Sequence, residues 1–400
     1  MENKKKLRIA LLHNSLDVRG GAEKQLLNLT RELKSFGHEI KIYVSKLDKE
    51  KCYSELMDGL KIIECGGYGY DNIRKQILFS KRYMEKMAEK IEPCDIINCH
   101  NFPTTYAAVA AKKRFKVPIV WTCNEPPFPP LYTGIRINYS IKSLIYRILM
   151  FKFLLKNKII LKYIDRIIVL DEMNKKRINK TYSRNPEILW TGLDHPNISE
   201  KEMNLSQRGK DAEIKIFTVS RLDKQRRVQD LIGLAKILKN KKIPFKIEIG
   251  GSGPYEKILK EQAKKVSENI IFLGRLTDKQ LTEAYIHSDI VVFTPENQSW
   301  GLVPLEAAYF GRPSLVSNGT GIADVFKDGK NARIYEVGNV NNMFKKLSYF
   351  LEDRKRISEI GNAARKFVLK TFSWNKYARK MEQIFFEEAK RYSKTKNHKL

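Results

Sequence analysis

Short apolar runs alternate with longer amphipathic stretches along this chain, and this alternation limits the folds open to it. Residues 7–13 read as a buried strand, and in the stretch after it apolar residues from 22 to 33 recur at helical spacing. Further strands in the first half are predicted at residues 40–44, 95–99, 119–122 and 166–170. Strands that alternate with helices are typical of parallel sheets, so we predict an α/β class with doubly wound sheets.

The alternation stops at residues 185–210 and then begins again. Pro186, Gly192, Pro196 and many polar residues make this interruption typical of a linker. After it, strands are predicted at residues 214–220, 245–250, 270–273, 290–294 and 314–317. A chain of 400 residues is too long for one ordinary core. We therefore expect two Rossmann-like domains, 1–195 and 196–372, with a C-terminal helix at 373–400 that packs back on the first.

The charge balance is strongly basic, with 75 Lys and Arg against 45 Asp and Glu, a formal net charge of +30. Such an excess of positive charge suits three kinds of anionic partner: nucleic acid, a membrane surface or anionic substrates. The alternative to a specific partner is a Lys-rich background composition. No aromatic RNA-binding motif, zinc-finger spacing or helix-turn-helix signature is present. We therefore expect no nucleic-acid partner.

Five cysteines lie in the first third of the chain, an odd number without a C-x-x-C pair: Cys52, Cys65, Cys94, Cys99 and Cys123. This pattern favours reduced thiols and a cytoplasmic location over disulfides or a zinc site.

Residues 136–166 combine eight basic residues and one acid with many large apolar side chains. Arg147, Lys152, Lys156 and Lys158 interrupt the apolar run, so it cannot be a transmembrane helix. We predict that this segment docks on an anionic membrane surface. The alternative is an ordinary buried helix pair whose lysines reach out to solvent.

Three loops that follow predicted strands have residues suited to binding phosphates. Gly20 and Gly21 precede the first helix, where glycine lets backbone N–H groups approach an anion. The loop that begins at Arg221 carries four cations, including Arg226, which suit a leaving diphosphate. The third loop, with Gly251 and Gly253, leaves room for a base or a phosphate. Each of these loops alone could equally be a plain turn or a solvated charged loop.

A fourth loop follows the strand at 290–294 and leads into a helix. The amides near Gly301, Leu302 and Val303 would point at an anion, and Pro304 suits the first helical turn. Glu306 lies one turn into the helix, where its carboxylate could accept hydrogen bonds from the two hydroxyls of a diol.

Together and in this order, the four loops resemble those of the retaining nucleotide-sugar transferases of glycosyltransferase family 4, which have the GT-B fold. The most specific part is Gly301-Leu302-Val303-Pro304-Leu305-Glu306-Ala307, followed by Gly311-Arg312-Pro313. The resemblance implies that Arg221 and Arg226 hold the donor diphosphate. It also implies that Glu306, the second acid of an E-x7-E motif, holds the ribose. It implies no metal and no cofactor, since the nucleotide-sugar is a co-substrate. The remaining donor-binding residues that it implies are Gly20, Gly21, Gly251, Gly253, Gln298, Trp300, Gly301, Leu302 and Val303.

The chain departs from the family pattern at three places. Gln298 stands where the first acid of E-x7-E usually contacts the donor sugar, and Arg226 stands where Lys is common. Asn124, followed by Glu125, stands where many relatives have a histidine on the acceptor side. His100 is a second candidate for that acceptor side, although a lone histidine there is more often structural.

The sequence therefore predicts a glycosyltransferase that moves a sugar from a nucleotide-sugar to a hydroxyl acceptor. We expect a lipid-linked or cell-surface glycan precursor as acceptor, at the cytoplasmic face of the membrane, with Arg221, Arg226, Gln298 and Glu306 as catalytic residues. Two alternatives stay open. One is an epimerase or hydrolase on the same fold. The other is a non-catalytic protein that binds a sugar nucleotide, which Gln298 and Asn124 make plausible.

Overall fold

The computed structural model describes residues 6–67, 69, 80–126, 141–194 and 213–397. These residues form two compact units. The first contains the described residues up to Gly192 together with those from Trp374 onward, and the second contains those between Leu193 and Ser373. Each unit holds one parallel sheet with helices on its faces, which confirms the predicted α/β class with two doubly wound domains.

The first unit is built on a seven-stranded parallel sheet with the order β3-β2-β1-β4-β5-β6-β7. Its strands are β1 (Arg8–Leu16), β2 (Glu39–Leu47), β3 (Ile62–Glu64), β4 (Ile96–His100), β5 (Ile119–Thr122), β6 (Arg166–Val169) and β7 (Glu187–Ile188). Its helices before the second unit are α1 (Gly21–Ser35), α2 (Ser54–Met57), α3 (Ser80–Lys90), α4 (Thr104–Phe115), α5 (Ile141–Leu161) and α6 (Glu172–Tyr182). The central strands are apolar and buried on both faces, as a parallel sheet between helix layers requires.

The second unit is built on a six-stranded parallel sheet with the order β10-β9-β8-β11-β12-β13. Its strands are β8 (Ile214–Val219), β9 (Phe245–Gly250), β10 (Ile270–Gly274), β11 (Ile290–Phe293), β12 (Ser314–Ser317) and β13 (Arg333–Tyr335). Its helices are α7 (Gln229–Asn240), α8 (Glu256–Lys264), α9 (Asp278–His287), α10 (Val303–Tyr309), α11 (Val340–Glu352) and α12 (Lys355–Thr371). The carboxyl ends of β8, β9 and β11 bring the loops of the candidate site together.

The last helix, α13 (Trp374–Asn397), belongs to the first unit and packs along α1. Tyr377, Met381 and Phe385 lie buried in the same apolar cluster as the inner face of α1. Gln25 on α1 donates a hydrogen bond from Nε2 to the Tyr377 hydroxyl at 2.9 Å. The helix therefore completes the first unit after the chain has passed through the second.

Helix α5 covers most of the basic segment that the sequence predicts as a membrane-docking surface, whereas residues 136–140 of that segment lie outside the described residues. The buried side of α5 includes Asn157 and Leu161, and Leu154 packs against the core. Across the described part of the chain, no helix combines the length and the apolar composition needed to cross a bilayer.

Candidate active site

Three loops in the second unit are joined by backbone hydrogen bonds at the carboxyl edge of the sheet. The amide of Leu222 donates to the carbonyl of Ser252 at 3.0 Å, which ties the cationic loop after β8 to the glycine-rich loop after β9. The amide of Glu296, in the loop after β11, donates to the carbonyl of Gln225 at 2.9 Å. The three loops thus form one continuous surface.

The glycines after β9 are required by the close approach of these loops. Gly251 has a φ of +106°, and a Cβ there would lie 1.9 Å from the carbonyl oxygen of Ser220. A Cβ on Gly253 would lie 2.3 Å from the carbonyl oxygen of Leu222. In this structure the space that these glycines leave is filled by the backbone of the cationic loop.

Arg226 sits at the end of a short 3₁₀ turn, Lys224–Arg226, that is capped at its start by Asp223. The Asp223 carboxylate accepts hydrogen bonds from the amides of Gln225 and Arg226 at 3.0 and 3.2 Å. The hydroxyl of Thr294, just after β11, donates to the carbonyl of Arg226 at 2.6 Å. The side chain of Arg226 stays 29% exposed, so it remains accessible to a ligand.

The neighbouring arginines differ in what they contact. Arg221 is exposed at the end of β8. Arg227 donates from Nε to Asp230 at 2.8 Å and from Nη1 to Glu296 at 3.1 Å. The hydrogen bond to Asp230 is the main cause of a raised Arg227 pKa, which burial partly opposes. Arg227 therefore stabilises the shape of the loop, whereas Arg221 and Arg226 are available to bind an anion.

Gln298 pairs with Arg226: the guanidinium Nη1 donates to the side-chain Oε1. The backbone of Gln298 is fixed as well, because its carbonyl accepts from the amide of Gly321 at 2.9 Å. Two of the predicted site residues therefore contact each other directly, an arrangement that no spacing in the sequence indicates.

Glu306 lies in the first turn of α10, where its side chain meets a tyrosine that the sequence analysis missed. The hydroxyl of Tyr285, on α9, donates to Oε2 of Glu306 at 2.6 Å. Burial, together with the adjacent carboxylate, raises the Tyr285 pKa well above its ordinary value, so the phenol keeps its proton and remains a donor. Tyr285 thus orients the carboxylate of Glu306.

Trp300 and Gly301 form the inner part of the same loop. Trp300 is 7% exposed and its ring centroid lies 6.4 Å from that of Phe372. A Cβ on Gly301 would lie 2.4 Å from Cζ of Phe293, so only glycine fits there. Leu302 and Val303 are half-buried at the start of α10. These residues shape the loop that carries Gln298.

In the first unit, Gly20 caps α1 and Gly21 is its first residue. A Cβ on Gly20 would lie 2.3 Å from Oε2 of Glu23, which is buried directly beneath the loop. Burial raises the Glu23 pKa, and the imidazole of His13, 3.8 Å from Oε1, opposes that shift. Neither Glu23 nor His13 was predicted from the sequence as a functional residue.

The acceptor-side residues predicted from the sequence lie in different environments. His100 is completely buried at the end of β4, and its Nε2 lies 2.9 Å from Oδ1 of Asn98. Burial, and secondarily His13, lowers the His100 pKa well below its ordinary value, so its imidazole is neutral. Asn124 is half-buried and donates from Nδ2 to Gln25 at 2.9 Å, whereas Glu125 is exposed.

Acidic residues, histidines and cysteines do not cluster in a way that suits a metal ion within the ranges that the structure describes. All five cysteines are buried and unbridged.

Comparisons with known proteins agree on one family. The family model described as Glycosyltransferase Family 4 matches residues 19–195, and the model described as Glycosyl transferases group 1 matches residues 200–367. The chain is similar to the sulfoquinovosyl transferase SQD2 of Arabidopsis thaliana, with 25% identity over 366 residues. That match covers 86% of this chain and 66% of the relative, just under two thirds of its length.

A second relative matches over nearly its full length. The alpha-1,3/1,6-mannosyltransferase ALG2 of Dictyostelium discoideum is 25% identical over 441 residues, covering 96% of this chain and 99% of the relative. Among solved structures, Anabaena HepE in complex with UDP-glucose superimposes with a TM-score of 0.71 at 15% identity, covering 95% of this chain and 100% of HepE. At that identity the structural match establishes the fold alone.

Proposed function

Because this chain belongs to glycosyltransferase family 4 and has the GT-B fold, we propose that it transfers a sugar, with retention of configuration, from a nucleotide-sugar to a hydroxyl acceptor. The acceptor we propose is a lipid-linked or cell-surface glycan precursor at the cytoplasmic membrane face. The proposal of a nucleotide-sugar donor rests on one observation. In the second unit, three strand-end loops form a continuous surface that includes Arg221, Arg226 and Glu306.

On this surface, the guanidinium groups of Arg221 and Arg226 would face the donor diphosphate. Fixed cations stabilise the negative charge that grows on the diphosphate as its bond to the anomeric carbon breaks. The backbone of Arg226 is already held by Asp223 and Thr294, and its guanidinium by Gln298, so little reorganisation is needed when the charge develops. Glu306, oriented by Tyr285, would accept hydrogen bonds from the ribose hydroxyls.

A metal ion is not needed in this proposal, because the two arginines take the electrostatic role that a bound cation has in other transferases. The buried, neutral His100 is unsuited to act as a strong base at an exposed acceptor. We propose that an oxygen of the departing phosphate takes the proton of the acceptor hydroxyl, on the face where the new bond forms.

The exposed face of α5 supports the membrane location. Phe151, Leu155 and Ile159 are 63%, 46% and 57% exposed, more than any other large apolar side chain whose exposure the structure describes. They recur every four residues and so form one stripe on the helix. A stripe of bulky apolar side chains facing water is typical of an interaction surface.

Exposed lysines border this stripe, and this argues for an anionic bilayer as its partner. At 3.6 residues per turn, Lys158 falls on one side of the stripe, and Lys152 and Lys156 fall on the other. Apolar side chains flanked by cations can insert into the acyl region while the ammonium groups meet lipid phosphates. We propose that α5 lies in the membrane interface and brings the first unit to an acceptor held there.

The donor assignment is tested by titrating the protein with nucleoside diphosphates and by following transfer from a panel of nucleotide-sugars. Arg226→Ala should weaken nucleoside diphosphate binding by about 10- to 150-fold, the range for hydrogen bonds to a charged group. Lys264→Ala, an exposed change on α8, is the matched control and should leave affinity unchanged. Unchanged affinity in Arg226→Ala would refute the assignment, and binding without turnover would favour a non-catalytic protein.

Retention is tested on the product. An α-linked donor should give an α-linked product, which the one-bond C1–H1 coupling in NMR distinguishes from a β-linked one. A β-linked product would refute the retaining mechanism and leave the donor assignment intact.

A further inference from the structure

A series of hydrogen-bonded side chains links the last helix to the carboxyl edge of the first sheet. The hydroxyl of Tyr377, on α13, accepts a hydrogen bond from Nε2 of Gln25, on α1, at 2.9 Å. Oε1 of the same Gln25 accepts from Nδ2 of Asn124, just after β5, at 2.9 Å. The series therefore ends in a side chain at the edge where ligands bind in open parallel sheets.

The backbone of Asn124 is fixed, but one atom of its side chain has no partner. The backbone amide donates to Oδ1 of Asn101 at 3.1 Å, and the carbonyl accepts from Nδ2 of Asn174 at 2.8 Å. Oδ1 of Asn124 is shielded from solvent, and no group in the described part of the chain donates a hydrogen bond to it. A buried acceptor without a donor costs free energy until a ligand or an ordered water satisfies it.

The hydroxyl of Tyr377 determines which end of the Asn124 amide is left over. Burial raises the Tyr377 pKa, so the hydroxyl keeps its proton, and it also hydrogen-bonds the side chain of Thr122. When that proton points to Thr122, Gln25 must donate through Nε2 and accept through Oε1. The reverse arrangement would bury both N–H donors of Asn124 without an acceptor, which is less favourable than one unpaired carbonyl oxygen.

We propose that Oδ1 of Asn124 accepts a hydrogen bond from a hydroxyl of the transferred sugar or of the acceptor, and that Gln25 and Tyr377 are positioning residues that hold it in this orientation. This inference rests on the proposed function, because it concerns the substrates of that reaction. A hydroxyl fits because it donates a hydrogen bond, whereas a phosphate or carboxylate would place a second acceptor against Oδ1. The last helix thus acts on transfer through Asn124.

The first test compares substitutions of Asn124 in transfer assays. The donors are UDP-glucose, UDP-galactose, UDP-N-acetylglucosamine and GDP-mannose, each offered with diacylglycerol or polyprenyl-diphosphate-linked N-acetylglucosamine in phosphatidylglycerol vesicles. For the pair that the parent uses, Asn124→Leu should lower kcat/KM by about 2- to 10-fold, the range for a hydrogen bond between neutral groups. Asn124→Asp, which keeps an oxygen acceptor, should lower it less. Asn179→Leu, an exposed change on α6, is the matched control and should leave kcat/KM unchanged.

The second test separates positioning from a purely structural role. Tyr377→Phe should lower kcat/KM for the same pair, because the Gln25 amide loses the partner that distinguishes its two ends. The double variant of Tyr377→Phe and Asn124→Leu should be no slower than Asn124→Leu alone, since Tyr377 acts only through Asn124. Tyr392→Phe removes a hydroxyl from the same helix and should leave kcat/KM unchanged.

Binding measurements identify the substrate that supplies the hydroxyl. If it belongs to the transferred sugar, Asn124→Leu should weaken binding of the nucleotide-sugar in calorimetry and leave the affinity for the nucleoside diphosphate unchanged. If it belongs to the acceptor, both of these affinities should stay the same and the KM for the acceptor should rise.

The possible outcomes distinguish this inference from the function on which it rests. Equal kcat/KM in Asn124→Leu and the parent would show that Oδ1 meets no substrate, while the transfer itself stands. Losses that multiply in the double variant would show that Tyr377 does not act through Asn124. If the parent transfers no sugar in any of these pairs, the proposed function fails and this inference fails with it.

Discussion

Replacement of Phe151, Leu155 and Ile159 by serine should detach the protein from anionic vesicles while leaving its fold intact. The three side chains form the exposed stripe of α5, and more than two fifths of each faces solvent. Because the opposite side of the helix, with Asn157 and Leu161, carries the packing against the first unit, the substitutions remove little buried contact. The circular dichroism spectrum and the thermal midpoint should therefore stay close to those of the parent.

The size of the effect follows from the exposed fractions. Full burial of a large apolar side chain contributes about 1.5–3 kcal/mol, and roughly half of each side chain remains to be removed from water. Insertion of the three residues should therefore contribute about 2.5 kcal/mol or more, which corresponds to roughly a 60-fold change in partition coefficient. Each bordering lysine adds about 1 kcal/mol at an anionic surface, and salt should weaken only this second part.

Co-sedimentation with phosphatidylglycerol-containing vesicles measures the partition coefficient directly. The matched control replaces three exposed apolar side chains of the second unit, Ile258, Ile271 and Leu369, by serine. Equal loss of binding in both triple variants, or none in the α5 variant, would show that the docking surface is not this stripe. The contribution of the lysines to the partition coefficient is measured separately, by replacing Lys152, Lys156 and Lys158 with glutamine. The control makes the same change at three exposed lysines of the second unit, Lys236, Lys242 and Lys257.

Three further predictions concern the two units separately. Transfer should continue in EDTA, since fixed arginines replace a metal; loss of turnover in EDTA that magnesium restores would contradict this. Tyr285→Phe should weaken nucleoside diphosphate binding by several-fold in calorimetry through misorientation of Glu306, whereas Tyr255→Phe should not. As pH falls below about 6.5, the unfolded chain gains a proton on His100 that the folded chain does not, so urea-unfolding stability should fall by up to about 1.4 kcal/mol per pH unit. His100→Gln should remove this part of the pH dependence of stability. An identical pH profile in the variant would show that His100 does not cause the loss of stability at low pH.

The sequence predicted the main strands well because each is a short apolar run between turn residues. The ranges 119–122, 245–250 and 314–317 coincide with β5, β9 and β12. The strands β3, β7 and β13 were missed, since segments of two or three residues are too short to show a periodicity. Their place at the sheet edges depends on tertiary pairing.

The identity of the candidate site residues could be predicted from spacing, but their mutual contacts could not. Gln298 and Arg226 are 72 positions apart, and only the hydrogen bonds between their loops bring them together. Tyr285 had no signal of its own, because a tyrosine on an amphipathic helix is usually a core residue. Glu23 lies three positions after Gly20, yet its burial beneath that glycine could be seen only in the structure.

The return of α13 to the first unit has a consequence for how the protein is made. The surface of α1 that Tyr377, Met381 and Phe385 cover stays open until the ribosome has synthesised the whole second unit. At elongation rates of about 5–20 residues per second, this delay lasts roughly 10–40 s. During that time the apolar side of α1 and the amide of Gln25 face the surroundings without their final partners. The first unit to be translated is thus the last to be closed, and a nascent chain of this protein offers chaperones a long-lived binding surface near its beginning.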